Sequence, residues 1–155
     1  MTVNQELDLL VERFQQVRKR TLELVKTLEK DDFVVQTAFF MSPPKWHIGH
    51  VSWIYEAIMN KIDKNYEFYS KEFSEYLNSY YQQFGVPHDK GLRGVVSRPT
   101  VDQIFQYFNT INQRVEKFLE SHTLSDENRK LIVMGLHHEC QHQELLIYDL
   151  QHLLA

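Results

Sequence analysis

Apolar residues recur at spacings of three and four through four separate stretches of this chain, and this periodicity limits the fold more than any other feature. Leu7, Leu10, Phe14, Val17, Thr21, Leu24 and Leu28 form one stripe and predict a first helix from about Asn4 to Leu28. Glu12, Arg13, Gln16, Lys19, Arg20 and Glu23 mostly fill its other face, and Asp31-Asp32 breaks the pattern. Ser42-Pro43-Pro44 starts a second helix: Ser42 can cap, and proline at the first helical position lacks only an N–H that had no partner. Its stripe is Trp46, His50, Trp53, Ile54, Ala57, Ile58 and Ile62. Thr100-Val101-Asp102-Gln103 reads as a capping box, followed by Ile104, Tyr107, Phe108, Ile111, Val115 and Phe118 to about Ser121. Ser125 or Asp126 starts a last helix, with Leu131, Met134, His138, His142, Leu145 and Asp149 on one face. Strand-like alternation is scarce, and five glycines and four prolines are few. The fold class expected is all-α, a four-helix bundle with a long irregular connection between helices 2 and 3.

That connection, from Asn65 to Pro99, is rich in aromatic residues, among them Tyr66, Phe68, Tyr69, Phe73, Tyr76, Tyr80, Tyr81 and Phe84. Gly85, Pro87, Gly91, Gly94 and Pro99 punctuate it, and short helical turns fit within it. A long ordered connection in a compact domain is often functional. At 155 residues the chain is expected to be a single domain with a real core. A formal charge of −4 argues against non-specific nucleic-acid binding, and the only basic run, Arg18-Lys19-Arg20, is short. One cysteine, Cys140, excludes an intramolecular disulfide and suits a reducing compartment. The polar, acidic N-terminus is not expected to be a signal peptide, and no apolar run approaches the ~18 residues of a membrane span. The cytoplasm is the expected location.

Chemistry concentrates in two segments, Trp46-His47-Ile48-Gly49-His50 and His137-His138-Glu139-Cys140-Gln141-His142-Gln143-Glu144. His138 and His142 are four apart, so a helix stacks them on one face. Two imidazoles so placed can grip a metal ion. A third ligand must come from elsewhere, and His50, on the apolar stripe of the second helix, is the natural donor. Three imidazoles on two helices leave positions open for water, substrate or dioxygen, as in a catalytic rather than a closed structural site. Imidazole suits zinc, iron, copper and nickel, so residue type does not choose the metal. His47, three residues before His50, is a rival. His137 lies about 140° around the helix from His142, and His152 roughly 15 Å further along the axis, which sets both aside. Cys140 is expected to be neither ligand nor nucleophile. Glu144 divides evenly between an ordinary solvent-facing glutamate and a group that polarises a bound water. Gln141 lies beside both histidines and could bond a substrate. Arg93 and Arg98 lie in a loop bounded by glycine and proline, where they could fork onto a carboxylate; bridging surface carboxylates is the commoner use of such residues. The aromatic insertion, especially Asn78-Ser79-Tyr80-Tyr81, could line a pocket or simply pack under a loop.

Taken in order, Pro43-Pro44-Lys45-Trp46-His47-Ile48-Gly49-His50, Asn78-Ser79-Tyr80-Tyr81, Arg93-Gly94 with Ser97-Arg98-Pro99-Thr100, and His138-x3-His142-x-Glu144 resemble a known family. It is the N-terminal DinB-like domain of the ergothioneine-biosynthesis sulfoxide synthases (EgtB type), within the DinB/YfiT-like superfamily. The resemblance covers essentially the whole chain. It implies non-haem iron(II) held by His50, His138 and His142, with zinc or nickel possible as isolated. It implies an oxygen-dependent oxidoreductase that joins a cysteine-type thiol to the imidazole of hercynine and yields a sulfoxide. Gln141 would lie near the hercynine imidazole, and Arg93 and Arg98 near the thiol substrate's carboxylates. Family members continue into a C-terminal formylglycine-generating-enzyme-like domain, whereas this sequence stops at Leu153-Leu154-Ala155. Three alternatives stand: that domain is a separate partner subunit, the sequence is truncated, or this domain works alone; full activity from this chain alone is not expected. The alternatives are a stand-alone DinB-like divalent-metal-binding module, or a thiol-dependent transferase of the wider superfamily. A homodimer through helices fits such folds; no membrane or nucleic-acid partner is expected.

Overall fold

The structure, a computed structural model, describes residues 1–79 and 89–155. Tyr80, Tyr81 and Phe84 of the aromatic insertion lie outside the described residues. Among the described residues there are five α-helices and no strand: α1 (Val3–Val25), α2 (Pro44–Ile62), α3 (Lys71–Leu77), α4 (Val101–Ser121) and α5 (Asp126–Leu154). Short 3-10 turns occupy Lys30–Val34 and Lys90–Leu92.

Local chemistry sets most of the boundaries. The first amides of a helix have no partner within it, and side-chain oxygens supply one. Thr2 accepts from the Gln5 amide while the Gln5 side chain accepts from the Thr2 amide, so α1 starts at Val3. Thr100 and Gln103 form the expected reciprocal pair at α4. Ser125 caps α5 and Ser70 caps α3. Two expectations need correction. The first helix ends at Val25, and the Leu28 amide bonds the Val25 carbonyl in a separate turn. Ser42 does not cap α2: Pro44 is the first helical residue and Pro43 holds the cap position without a side-chain bond. Ser42 stands one residue too early, and its polar atoms are used elsewhere. The connection read as irregular contains a fifth helix, α3, whose Tyr76 and Leu77 are buried.

α2 runs through the middle. It packs against α4, α5 and α3, while α1 packs against α4 and α5. Every residue of α2 from Pro44 to Met59 is buried, where the sequence predicts a single stripe. Neighbours therefore surround it, as expected for a helix with apolar residues around its circumference. Two glycines permit this crowding. A β-carbon on Gly49 would come within 2.5 Å of Leu77 Cδ2 and 2.9 Å of Ile104 Cδ1. One on Gly135 would meet Ile58 Cδ1 at 2.8 Å, so α2 and α5 touch there at backbone distance.

The buried face of α5 is also turned from expectation. It carries Ile132, Gly135, Leu136, Glu139, Leu146 and Asp149, whereas Met134 and Leu145 are each 49% exposed. Its centre is Glu139. At about 100° per residue, His138 and His142 sit roughly 100° and 60° from that centre, at the margin of the core. No helix among the described residues is long and apolar enough to cross a membrane.

Candidate metal centre

The margin of the core is where the histidines meet. α2 contributes His50, buried and stacked on Trp46 with ring centroids 4.3 Å apart and planes 13° from parallel. α5 contributes half-buried His138 and His142 one turn apart, centroids 4.5 Å from each other. One ligand nitrogen from each of the three can be chosen so that all lie within 4.8 Å of one another. His50 Nε2 and His138 Nε2 are 3.3 Å apart.

These residues fit a divalent cation on their own chemistry. His50 Nδ1 lies 2.6 Å from the Leu77 carbonyl, which can only accept, so the proton sits on Nδ1 and Nε2 keeps its lone pair. That lone pair faces His138. His138 Nδ1 is buried and has no hydrogen-bond partner among the described residues. A buried imidazole normally pairs both nitrogens, so this cluster is under-satisfied among the described residues. All three rings are held neutral, the form that binds metal. Burial first, then the nearby His138, pushes His50 well below the ordinary 6.5. Burial lowers His138 to about 4. Burial, then neighbouring His50, drives His142 down further.

Around the three rings lies a second layer. His47 Nε2 is 2.7 Å from Asp149 Oδ2, and His47 Nδ1 is 3.1 Å from His142 Nδ1. Burial outweighs Asp149 and keeps the His47 pKa low. The Ser42 amide donates to the same Asp149 oxygen at 3.1 Å, and the Ser42 hydroxyl accepts from Arg93 Nη1 at 2.8 Å. Arg93 lays its guanidinium 3.3 Å over the Trp46 ring, which in turn stacks on His50. Beside this layer is a cavity of about 140 Å³ with Trp46, His142, Lys90, Arg93 and Tyr148 in its wall.

The residues singled out in the sequence thus divide. His50, His138 and His142 come together, and Arg93 reaches the adjoining cavity. Gln141 and Glu144 are exposed and do not line that cavity. Arg98 is exposed, with Nη1 on the Ser97 carbonyl. His137 and Cys140 face solvent, and His152 bonds Thr37 Oγ1 instead. Ser42 and Asp149 in the outer layer, and Glu139 between the two α5 histidines, are functional or structural positions that the sequence pattern does not single out. Glu139 is fully buried and accepts from Arg18, Thr21 and Tyr55. The available signal was a charged residue flanked on its helical face by Ile132, Leu136 and Leu146.

A family model described as the DinB superfamily matches residues 13–146 of the chain. No curated protein matches it.

Proposed function

This chain belongs to the DinB superfamily, and from that premise we propose that it is the iron-binding domain of an ergothioneine-type sulfoxide synthase. DinB-like domains often bind divalent metal, and the histidine cluster here can hold one. The observation that carries the reading is the convergence of three neutral imidazoles from two helices beside an adjoining cavity. In this reading His50, His138 and His142 are the ligands and leave coordination positions open toward small molecules. Bound iron(II) would supply dioxygen-dependent redox chemistry for joining a cysteine-type thiol to hercynine as a sulfoxide. The ordered run of motifs from Pro43 to Glu144 supports that choice over other metal chemistry. Lys90 and Arg93 on the cavity wall suit a substrate carboxylate. Gln141, Glu144 and Arg98, all exposed, would reach substrate only once a further surface covers them. Phe40, Leu145 and Tyr148, 44%, 49% and 62% exposed, border the same cavity as an apolar rim. A formylglycine-generating-enzyme-like partner would cover that rim and complete the substrate pocket.

The test is anaerobic loading of the protein with iron, elemental analysis, and a nitric-oxide titration followed by EPR. The expected result is about one iron per chain with a high-spin ferrous–nitrosyl signal, lost in His50→Ala. Tight zinc with no iron uptake would replace this reading with a non-redox DinB-like binding module. Oxygen-independent turnover of an electrophile with a small thiol would replace it with a transferase.

A further inference from the structure

The three imidazoles of the cluster are not anchored alike. His50 has a carbonyl behind it, and His138 has no partner there among the described residues. Behind His142 stands another histidine. An Nδ1-to-Nδ1 contact between two imidazoles is ambiguous in isolation, because either ring can donate. Here the far side of the second ring resolves it. His47 Nε2 lies 2.7 Å from a carboxylate oxygen that already accepts the Ser42 amide. That oxygen requires a donor, so the one proton of a neutral His47 sits on Nε2. His47 Nδ1 is then a lone pair and requires a donor in turn, and His142 Nδ1 is the group facing it. His142 is left with a bare Nε2.

We propose that His47, held by Asp149, is a positioning residue that fixes the Nδ1–H form of His142 and thereby presents its Nε2 lone pair to a divalent cation. The proposal rests on the metal-binding reading above but concerns residues that reading does not use. His47 is buried at 3% exposure and Asp149 at 6%, so water does not compete for these bonds. Carboxylate–histidine chains behind a ligand orient the ring and raise its basicity, and their loss typically weakens metal binding roughly 10–100-fold. Because both bonds to Asp149 end on Oδ2, an asparagine can place its carbonyl oxygen there and keep the chain intact.

The test measures the proton directly. In metal-free protein labelled with 15N-histidine, long-range 1H–15N correlations should show His142 protonated on Nδ1 and bare on Nε2. Asp149→Leu should move His142 toward the Nε2–H form and weaken zinc binding roughly 10–100-fold in a competition titration. Asp149→Asn should keep the wild-type tautomer and bind within a few-fold of wild type. If Asp149→Leu fails to fold, His47→Phe and His47→Gln replace it. The amide of Gln can accept from His142 and donate to Asp149, so only Phe should weaken binding. His142 found protonated on Nε2 in the wild type, or zinc affinity unchanged in Asp149→Leu or His47→Phe, overturns the proposal. Absence of stoichiometric zinc or iron binding by the wild type would instead remove the metal reading, while the tautomer measurement would still decide the role of His47.

Discussion

Two buried polar clusters sit side by side between α2 and α5, and they are built on opposite rules. In one, Arg18 Nε donates to Asn112 Oδ1 at 2.6 Å, Nη2 to Ser52 Oγ at 2.7 Å, and Nη1 to both oxygens of Glu139 at 3.2 Å. Thr21 and Tyr55 complete the carboxylate at 2.7 and 2.9 Å. Nη2 also donates to the Phe108 carbonyl at 3.3 Å, no buried polar atom of this cluster is left unpaired among the described residues, and the guanidinium lies 3.5 Å over the Phe108 ring. In the other, built on His138 and His50, His138 Nδ1 has no hydrogen-bond partner among the described residues, and His50 Nε2 is met only by His138 Nε2 at 3.3 Å. A closed network ties α1, α2, α4 and α5 together and has no capacity for a ligand. An open one has capacity for a ligand. Burial and polarity are shared; satisfaction of the donors and acceptors separates scaffold from site.

The largest effect should come from opening the closed cluster. Glu139→Ala strands the Arg18 guanidinium inside the bundle, and breaking a buried pair on one side costs about 3–5 kcal/mol. Urea unfolding should show a loss in that range. A loss below about 1 kcal/mol would mean that the network does not hold the four helices together.

Next comes acid, acting on the open cluster. His138 is held at about 4 in the fold and titrates near 6.5 when unfolded. Between those values the unfolded chain binds the extra proton, so stability rises with pH there and is lost as pH falls from about 6.5 to 4. At about 1.4 kcal/mol per pH unit, protonation of His138 alone removes on the order of 3 kcal/mol of stability between those limits in the metal-free protein. His50 and His142 act in the same direction. The measurement is the difference between the pH–stability profiles of wild type and His138→Leu. Parallel profiles between pH 4 and 6.5 would contradict the assignment.

The comparison also explains what the sequence could disclose. Helix existence was legible because apolar spacing and Ser/Thr caps act over a few residues, as at Thr100 and Gln103. The proximity of His50 to His138 followed from one stripe position and one i,i+4 pair. The rotation of α5 was not legible, because its buried arc is centred on Glu139, a residue that reads as solvent-facing until Arg18 is placed opposite it from 121 positions away. The same long-range dependence hid Asp149 and Ser42, whose bond spans 107 positions. A polar residue enters a core only with its partner, and partners distant in sequence leave no periodic trace.

The smallest effect should be the most discriminating. In a scaffold, removing a buried polar side chain is destabilising, as in Glu139→Ala. In an under-satisfied site, the same operation can be favourable. Replacing His138 with leucine removes a buried nitrogen that has no partner among the described residues, and an unsatisfied buried polar atom costs roughly 1–3 kcal/mol. Leucine is of similar bulk and the position is half-buried, so lost packing offsets part of this gain. The metal-free His138→Leu protein should therefore unfold at neutral pH about 1 kcal/mol later than wild type, or roughly 2–4 °C higher in a thermal melt. Metal should reverse the order, since it stabilises only the chain that can bind it. A variant less stable than wild type in both conditions would place His138 with Arg18 and Glu139 among the structural groups.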